Sequence, residues 1–206
     1  MSINIIFLVR HGVTDWNIYP KRFQGRRDIP LNTTGIQQAY ALANYFKNIK
    51  IDYIISSPLR RAYQTAKIIN KFHKLPIKIC DQLMEMHFGH WEGKTIYEIK
   101  HKFPQLWNLW EEEPEKLRIP QAETLNDLIK RILSVIKKLS NISSGIKLII
   151  GHGSWIRAFI ANIVLKKASL FNKIPQNNAA INILYLENSK NLRLILYNFT
   201  QYLKIY

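Results

Sequence analysis

Ile3-Asn4-Ile5-Ile6-Phe7-Leu8-Val9-Arg10-His11-Gly12 is the stretch that decides the fold. Its apolar run is short and rich in β-branched residues, and it stops abruptly on Arg10-His11-Gly12. That is the pattern of a strand buried on both faces that opens into a loop. Working outward, similar short runs recur at 52–56, 77–80 and 147–150, each between segments of helical character. Thr33-Thr34 precedes a helical stretch over 35–46, and Ser57-Pro58 opens another that runs to about residue 73. From 123 to 139, Leu125, Leu128, Ile129, Ile132, Ile136 and Leu139 recur at intervals of three and four, the apolar stripe of a helix that packs on a sheet. Residues 180–186 and 192–197 form a plausible hairpin across Glu187-Asn188-Ser189-Lys190-Asn191. Strands alternating with helices predict an α/β fold, a three-layer α/β/α arrangement around a mostly parallel central sheet.

The segment 95–122 differs, with Phe103, Leu106, Trp107, Leu109 and Trp110 beside Glu111-Glu112-Glu113. It reads as a small helical cap inserted into a single domain that spans 1–206. Its aromatic face either packs inward or lines a substrate pocket, two outcomes of one composition.

The chain has 206 residues, 47% of them hydrophobic and 21% charged, which supplies a core and excludes general disorder. A net charge of +16 calls for a negatively charged partner: phosphate ester, nucleic acid or anionic lipid. The lysines are dispersed, with pairs such as Lys137-Lys138 and Lys166-Lys167 but no long basic run, which argues against nucleic acid. Cys80 is the only cysteine, so no intramolecular disulfide forms and a cytoplasmic location is expected. Met1-Ser2-Ile3-Asn4 lacks a basic leader and Arg10-His11 interrupts the apolar run, so neither an export signal nor a membrane partner is expected. The oligomeric state is open, a homodimer included.

Ligands of open α/β sheets bind beyond the carboxyl ends of the strands. There the sequence offers Arg10-His11-Gly12, then Ser57-Pro58-Leu59-Arg60-Arg61, then Glu85, then Gly151-His152-Gly153. Two imidazoles, guanidinium groups and one carboxylate match what phosphoryl transfer requires. Planar guanidinium groups hold phosphoryl oxygens in pairs, a neutral imidazole attacks phosphorus, and a carboxyl group handles the leaving-group proton. Arg60 and Arg61 compete for one role, and the spacing to Ala62 and Thr65 favours Arg61. His87, His90 and Glu92 stand near Glu85 as substitutes, but their spacing is not that of a metal site, and neither metal nor cofactor is expected. His73 and His101 read as surface residues. No phosphate loop, nucleophile elbow or dinucleotide fingerprint is present.

Leu8-Val9-Arg10-His11-Gly12-Val13-Thr14-Asp15-Trp16-Asn17 resembles the opening signature of the histidine phosphatase superfamily, also called phosphoglycerate mutase-like. The likeness continues in order through Phe23-Gln24-Gly25, Asp28, Pro30-Leu31, Gly35, residues 57–66, 85–93 and 151–157, and Asn178. It implies a phosphoglycerate mutase-like fold in which His11 is phosphorylated. It further implies that Arg10, Arg61 and His152 clamp the phosphoryl oxygens and that Glu85 is the proton donor and later the base. Asn17, Gln24, Gly25 and Gly153 are implied as further phosphate contacts.

Family members divide between hydrolysis and mutase chemistry. The cap here offers Lys94, Lys100, Lys102, Lys116 and Arg118 but no paired arginines, which argues for hydrolysis of a small-molecule phosphate ester. The alternatives are a 2,3-bisphosphoglycerate-dependent phosphoglycerate mutase and a non-catalytic phosphate-binding protein. The run from Glu85 to Gly93 is most similar to small broad-specificity phosphatases and α-ribazole-5′-phosphate phosphatases. A pocket lined by Phe103, Trp107 or Trp110 would suit a substrate with an apolar or aromatic portion, and Glu111 to Glu113 would repel bisphosphates if they faced the mouth. The departures are one extra residue near Pro20, Gly151 before His152, and Ala122-Glu123-Thr124 in place of a usual Gly-Glu-Ser; none removes a catalytic group.

Overall fold

A computed structural model describes residues 4–188 and 191–204. The opening stretch forms strand β1 (Asn4–Arg10), joined in one sheet by β2 (Tyr53–Ser56), β3 (Ile77–Ile79), β4 (Gly145–Gly151), β5 (Ile181–Asn188) and β6 (Asn191–Phe199). The order across the sheet is β3-β2-β4-β1-β5-β6. β1 to β4 run parallel, and β5 pairs antiparallel with both β1 and β6. Of the expected hairpin connection, Glu187, Asn188 and Asn191 extend the strands, whereas Ser189 and Lys190 lie outside the described residues.

β1 alternates between two cores, as strands of a doubly covered sheet must. Ile6 and Leu8 pack on one side with α5 (Leu125–Ser140), α6 (Gly153–Ala158) and the aromatics of α4 (Pro104–Glu112). Phe7 and Val9 pack on the other with α1 (Thr33–Phe46) and α2 (Arg60–Ile69). This is the expected three-layer α/β/α arrangement. The segment 95–122 contains α3 (Ile96–Lys102) and α4, and α3 starts on a Thr95/Glu98 capping box. Pro58 precedes α2 rather than sitting in its first turn. No described helix is long and apolar enough to cross a membrane.

Neighbouring β1 and β4 send their following helices to opposite faces, α1 to one and α6 to the other. A crevice therefore opens at their carboxyl ends, the place where such sheets bind ligands. His11 leaves β1 and His152 leaves β4 at this crevice, and His11 N–H still donates to Gly151 O (3.1 Å). The loop after β1 is pinned from two sides. Gly12 N–H donates to Thr65 Oγ1 on α2 (3.2 Å), and Gly35, capped by Asn32, lets the start of α1 press against Val13. A Cβ on Gly35 would lie 2.0 Å from Val13 O, a backbone atom with no room to retreat.

Gly35→Ala is accordingly expected to destabilise the protein by about 2 kcal/mol or more. A urea unfolding curve checks this, and an unchanged midpoint would show that the contact is slack.

Candidate active site

The crevice is a cleft of about 260 Å³ bordered by Arg10, His11, Asn17, Gln24, Gly25, Arg61, Glu85 and Gly153. The structure thus brings together every predicted site residue except His152, which lies fully buried behind His11, with ring centroids 5.2 Å apart. His152 Nε2 is 2.8 Å from Ser57 Oγ, and its Nδ1 has no partner.

His11 is fixed at both ring nitrogens. Nδ1 lies 2.6 Å from Gly12 O, which can only accept, so Nδ1 carries the proton. Nε2 then presents a lone pair, and Arg61 Nε–H donates to it at 3.3 Å. Burial first, then the positive charges of Arg61 and Arg10, hold the imidazole well below its ordinary range, so it is neutral. Burial, then Arg61 and His11, does the same to His152. Asn178 Nδ2 lies within 3.2 Å of His11 O, Gly12 O and Asn17 Oδ1, which seats the loop against β1.

Arg61 is wholly buried and donates to Arg27 O and Gly25 O, both at 2.8 Å. Gly25 sits at φ +50° directly over Glu92, where a Cβ would fall 2.0 Å from Glu92 Oε1. Glu92 in turn accepts from Arg26 N–H (2.9 Å) and Phe88 N–H (3.1 Å), so it ties two loops together below the cleft. Arg10 donates to Gln176 O and leaves Nε unpartnered. Burial lowers both guanidinium groups to about 10, which leaves them charged at neutral pH. Arg60 is exposed, as the spacing implied.

Glu85 enters from the loop after β3. Its Oε1 accepts from Met86 N–H (2.9 Å) and Trp155 N–H (3.1 Å), and its Oε2 from Ser154 N–H (3.1 Å). Two lone pairs of Oε1 are thereby used and one of Oε2 is left. His87 and His90 do not stand in for it, since they border a separate outer groove and His87 lies 3.5 Å from Glu92. His101 is exposed, whereas His73 is half-buried. Among the described residues no group of three or more His, Cys, Asp or Glu side chains is placed to hold a metal ion.

Of the two outcomes open to the cap aromatics, inward packing is the one found. Trp107 and Trp110 do not border the cleft; they pack edge-on against Phe23, with centroids at 6.4 and 5.7 Å, and the apolar wall is Trp16, Phe23, Phe88 and Ile96. Phe103 borders the outer groove. Glu112 and Glu113 pair with Lys173 and Lys116 away from the mouth.

Arg131 was not among the expected site residues. From α5 it grips Glu123 with two parallel bonds (2.6 and 2.8 Å) and gathers the carbonyls of Gln82, Met84 and Glu85. It therefore fixes the loop that carries Glu85. Its signal was legible: Arg131 follows Leu128 by three and precedes Val135 by four, a charge on the apolar face. Arg157 and Gln176 also border the cleft, and the sequence gives no spacing rule that singles out Gln176.

A family model described as "Histidine phosphatase superfamily (branch 1)" matches residues 6–200. "Uncharacterized phosphatase PhoE" of Bacillus subtilis (strain 168) is 38% identical over 159 residues, 77% of this chain and 76% of that protein. "Phosphoserine phosphatase 1" of Hydrogenobacter thermophilus is 29% identical over 188 residues, 91% and 89% of the two chains. The solved structure "Bacillus stearothermophilus YhfR" superposes with a TM-score of 0.89 at 25% identity and covers 97% of this chain and 98% of its own.

Two results are expected. Because His11 and His152 are held below the ordinary value of 6.5, the unfolded chain binds more protons than the folded one just below that pH. Stability therefore falls as pH drops below about 6.5, by about 1.4 kcal/mol per pH unit for each histidine. Urea unfolding between pH 7.5 and 5.5 measures the slope, which His152→Gln should reduce. Separately, Arg131→Lys, which cannot reproduce the forked contact, is expected to lower kcat on p-nitrophenyl phosphate by about tenfold with little change in KM.

Proposed function

The chain belongs to the histidine phosphatase superfamily and is a phosphomonoesterase, and from that premise we propose that His11 Nε2 takes the phosphoryl group from a small phosphate monoester and passes it to water. The observation that carries this reading is the fixed tautomer of His11: proton on Nδ1 toward Gly12 O, and on Nε2 a lone pair that Arg61 Nε–H orients and gives up when Nε2 attacks. In the first step Nε2 forms a bond to phosphorus while the ester P–O bond breaks, and Glu85, protonated on Oε2, gives its proton to the departing alkoxide. In the second, Glu85 draws a proton from water as the water oxygen attacks phosphorus and the P–N bond breaks. Phosphate leaves and His11 returns to its starting tautomer.

Arg10, Arg61 and His152 have the role of holding the equatorial oxygens, whose charge grows in the transition state. Asn17, Gln24, Gly25 and Gly153 complete the phosphate contacts. The unpartnered Arg10 Nε and His152 Nδ1 support this, since buried polar groups without partners are costly and a bound phosphoryl group supplies acceptors. This reading treats the chain as one domain in which 95–122 is a helical cap, with Ile96 its contribution to the cleft wall. The narrow cleft suits a small molecule rather than nucleic acid.

Wild type is expected to hydrolyse p-nitrophenyl phosphate and His11→Ala to lose at least about a thousandfold in kcat. Quenching in alkaline denaturant during turnover should trap, on wild type alone, a phosphoryl group that is stable to base and lost in acid. Equal rates for the two proteins would refute the nucleophile. Given 3-phosphoglycerate with 2,3-bisphosphoglycerate, the enzyme should release phosphate; isomer without phosphate would make it a mutase.

A further inference from the structure

Ser57 and His152 follow neighbouring strands of the sheet. Ser56 at the end of β2 stands opposite Ile150 in β4, and Ser57 N–H donates to Ile150 O (3.1 Å). Strand pairing therefore fixes where the Ser57 hydroxyl sits relative to the His152 ring. The two meet at 2.8 Å between Oγ and Nε2, and both residues are wholly buried.

The hydroxyl has one proton to place and no bulk solvent to receive it. Its other neighbour, Leu59 N–H (3.3 Å), can only donate. Among the described residues His152 Nε2 is thus the one acceptor in hydrogen-bond contact with Ser57 Oγ, so the hydroxyl donates to it. Burial, then the charge of Arg61, keeps His152 neutral, and a neutral imidazole carries a single proton. With Nε2 accepting, that proton is on Nδ1. Nδ1 is buried and has no protein partner, which leaves an N–H donor whose acceptor has to come from a ligand. An ionised phosphoryl oxygen is such an acceptor, whereas the opposite tautomer would set a lone pair against the same oxygen.

We propose that Ser57 is a positioning residue for phosphoryl transfer, whose hydroxyl locks His152 in the Nδ1–H tautomer and so makes the ring a hydrogen-bond donor to the phosphoryl group. His11 and His152 then carry their protons on the same ring nitrogen for opposite purposes. In His11 the Nδ1 proton goes to Gly12 O and leaves the Nε2 lone pair for attack. In His152 the Ser57 hydroxyl occupies Nε2 and leaves Nδ1–H as the donor. Ser57 acts through His152 and does not itself touch the substrate. The inference rests on the reading of His152 as a phosphoryl contact, yet the tautomer is measurable without turnover.

The test is nitrogen-15 NMR of the imidazole side chains, with the His152 signals assigned by their loss in His152→Gln. Wild-type His152 is expected to show its proton on Nδ1, and inorganic phosphate to shift that proton downfield as it gains an acceptor. Ser57→Ala should mix the two tautomers and weaken inorganic phosphate about tenfold in calorimetric titration. A merely structural role for Ser57 would lower the urea midpoint and leave the tautomer as it is in wild type. A proton on Nε2 of wild-type His152 would overturn the proposal, and this measurement stands even if Ser57→Ala does not fold. So would a Ser57→Ala protein that keeps the Nδ1–H tautomer in full or binds phosphate as tightly as wild type. Failure of the phosphatase reading would show separately, as wild type with the expected tautomer but inert toward p-nitrophenyl phosphate.

Discussion

Arg61 is wholly buried and carries a full positive charge, yet it is held by two backbone carbonyls and a neutral imidazole rather than by a carboxylate. Arg10 beside it rests on another carbonyl. Burying such groups with no carboxylate in hydrogen-bond contact is unfavourable, and the more distant Glu85 offsets only part of that. The rest of the site follows from that constraint. Two nearby histidines stay neutral because burial penalises their charged forms and the guanidinium charges add to that penalty. The carboxylate nearest to them, Glu85, already has three of its lone pairs committed to backbone amides. The cleft is thus electrostatically incomplete, and an anion completes it.

Holding that arrangement requires support from distant parts of the chain. Thr65 and Asn178 pin the loop after β1, Ser57 orients His152, and Arg131 with Glu123 clamps the loop of Glu85. Apart from the Arg131–Glu123 pair, eight residues apart, these contacts join segments 47 or more residues apart in sequence. Functional groups on loops gain precision in this way.

The aromatic residues of the cap illustrate how composition misleads about role. Trp107 and Trp110 carry the side chains that most resemble a pocket lining, but they build the layer behind Phe23. Apolar wall and apolar core draw on the same residues, and only packing distinguishes them. The acidic run after α4 likewise finds lysine partners on the surface and leaves the mouth to Lys21 and Arg22.

By itself the sequence determined the layer order, because strand-length apolar runs and helical stripes have distinct periods that are local properties of the chain. It also pointed to the loops that meet at the crevice: Arg10-His11-Gly12, Arg61, Glu85 and Gly151-His152-Gly153 follow strands, and strand ends can be read locally. The choice of Arg61 over Arg60 was within reach of helix spacing, and Arg131 was visible as a charge on an apolar stripe. Tertiary structure alone decided that His11 bears its proton on Nδ1, that His152 stands behind rather than beside it, and that Gln176 is left with an unused amide. Hydrogen-bond satisfaction depends on partners far away in sequence, 166 residues for Arg10 and Gln176, and the tautomer on the turn that brings Gly12 O against Nδ1; no local pattern encodes either.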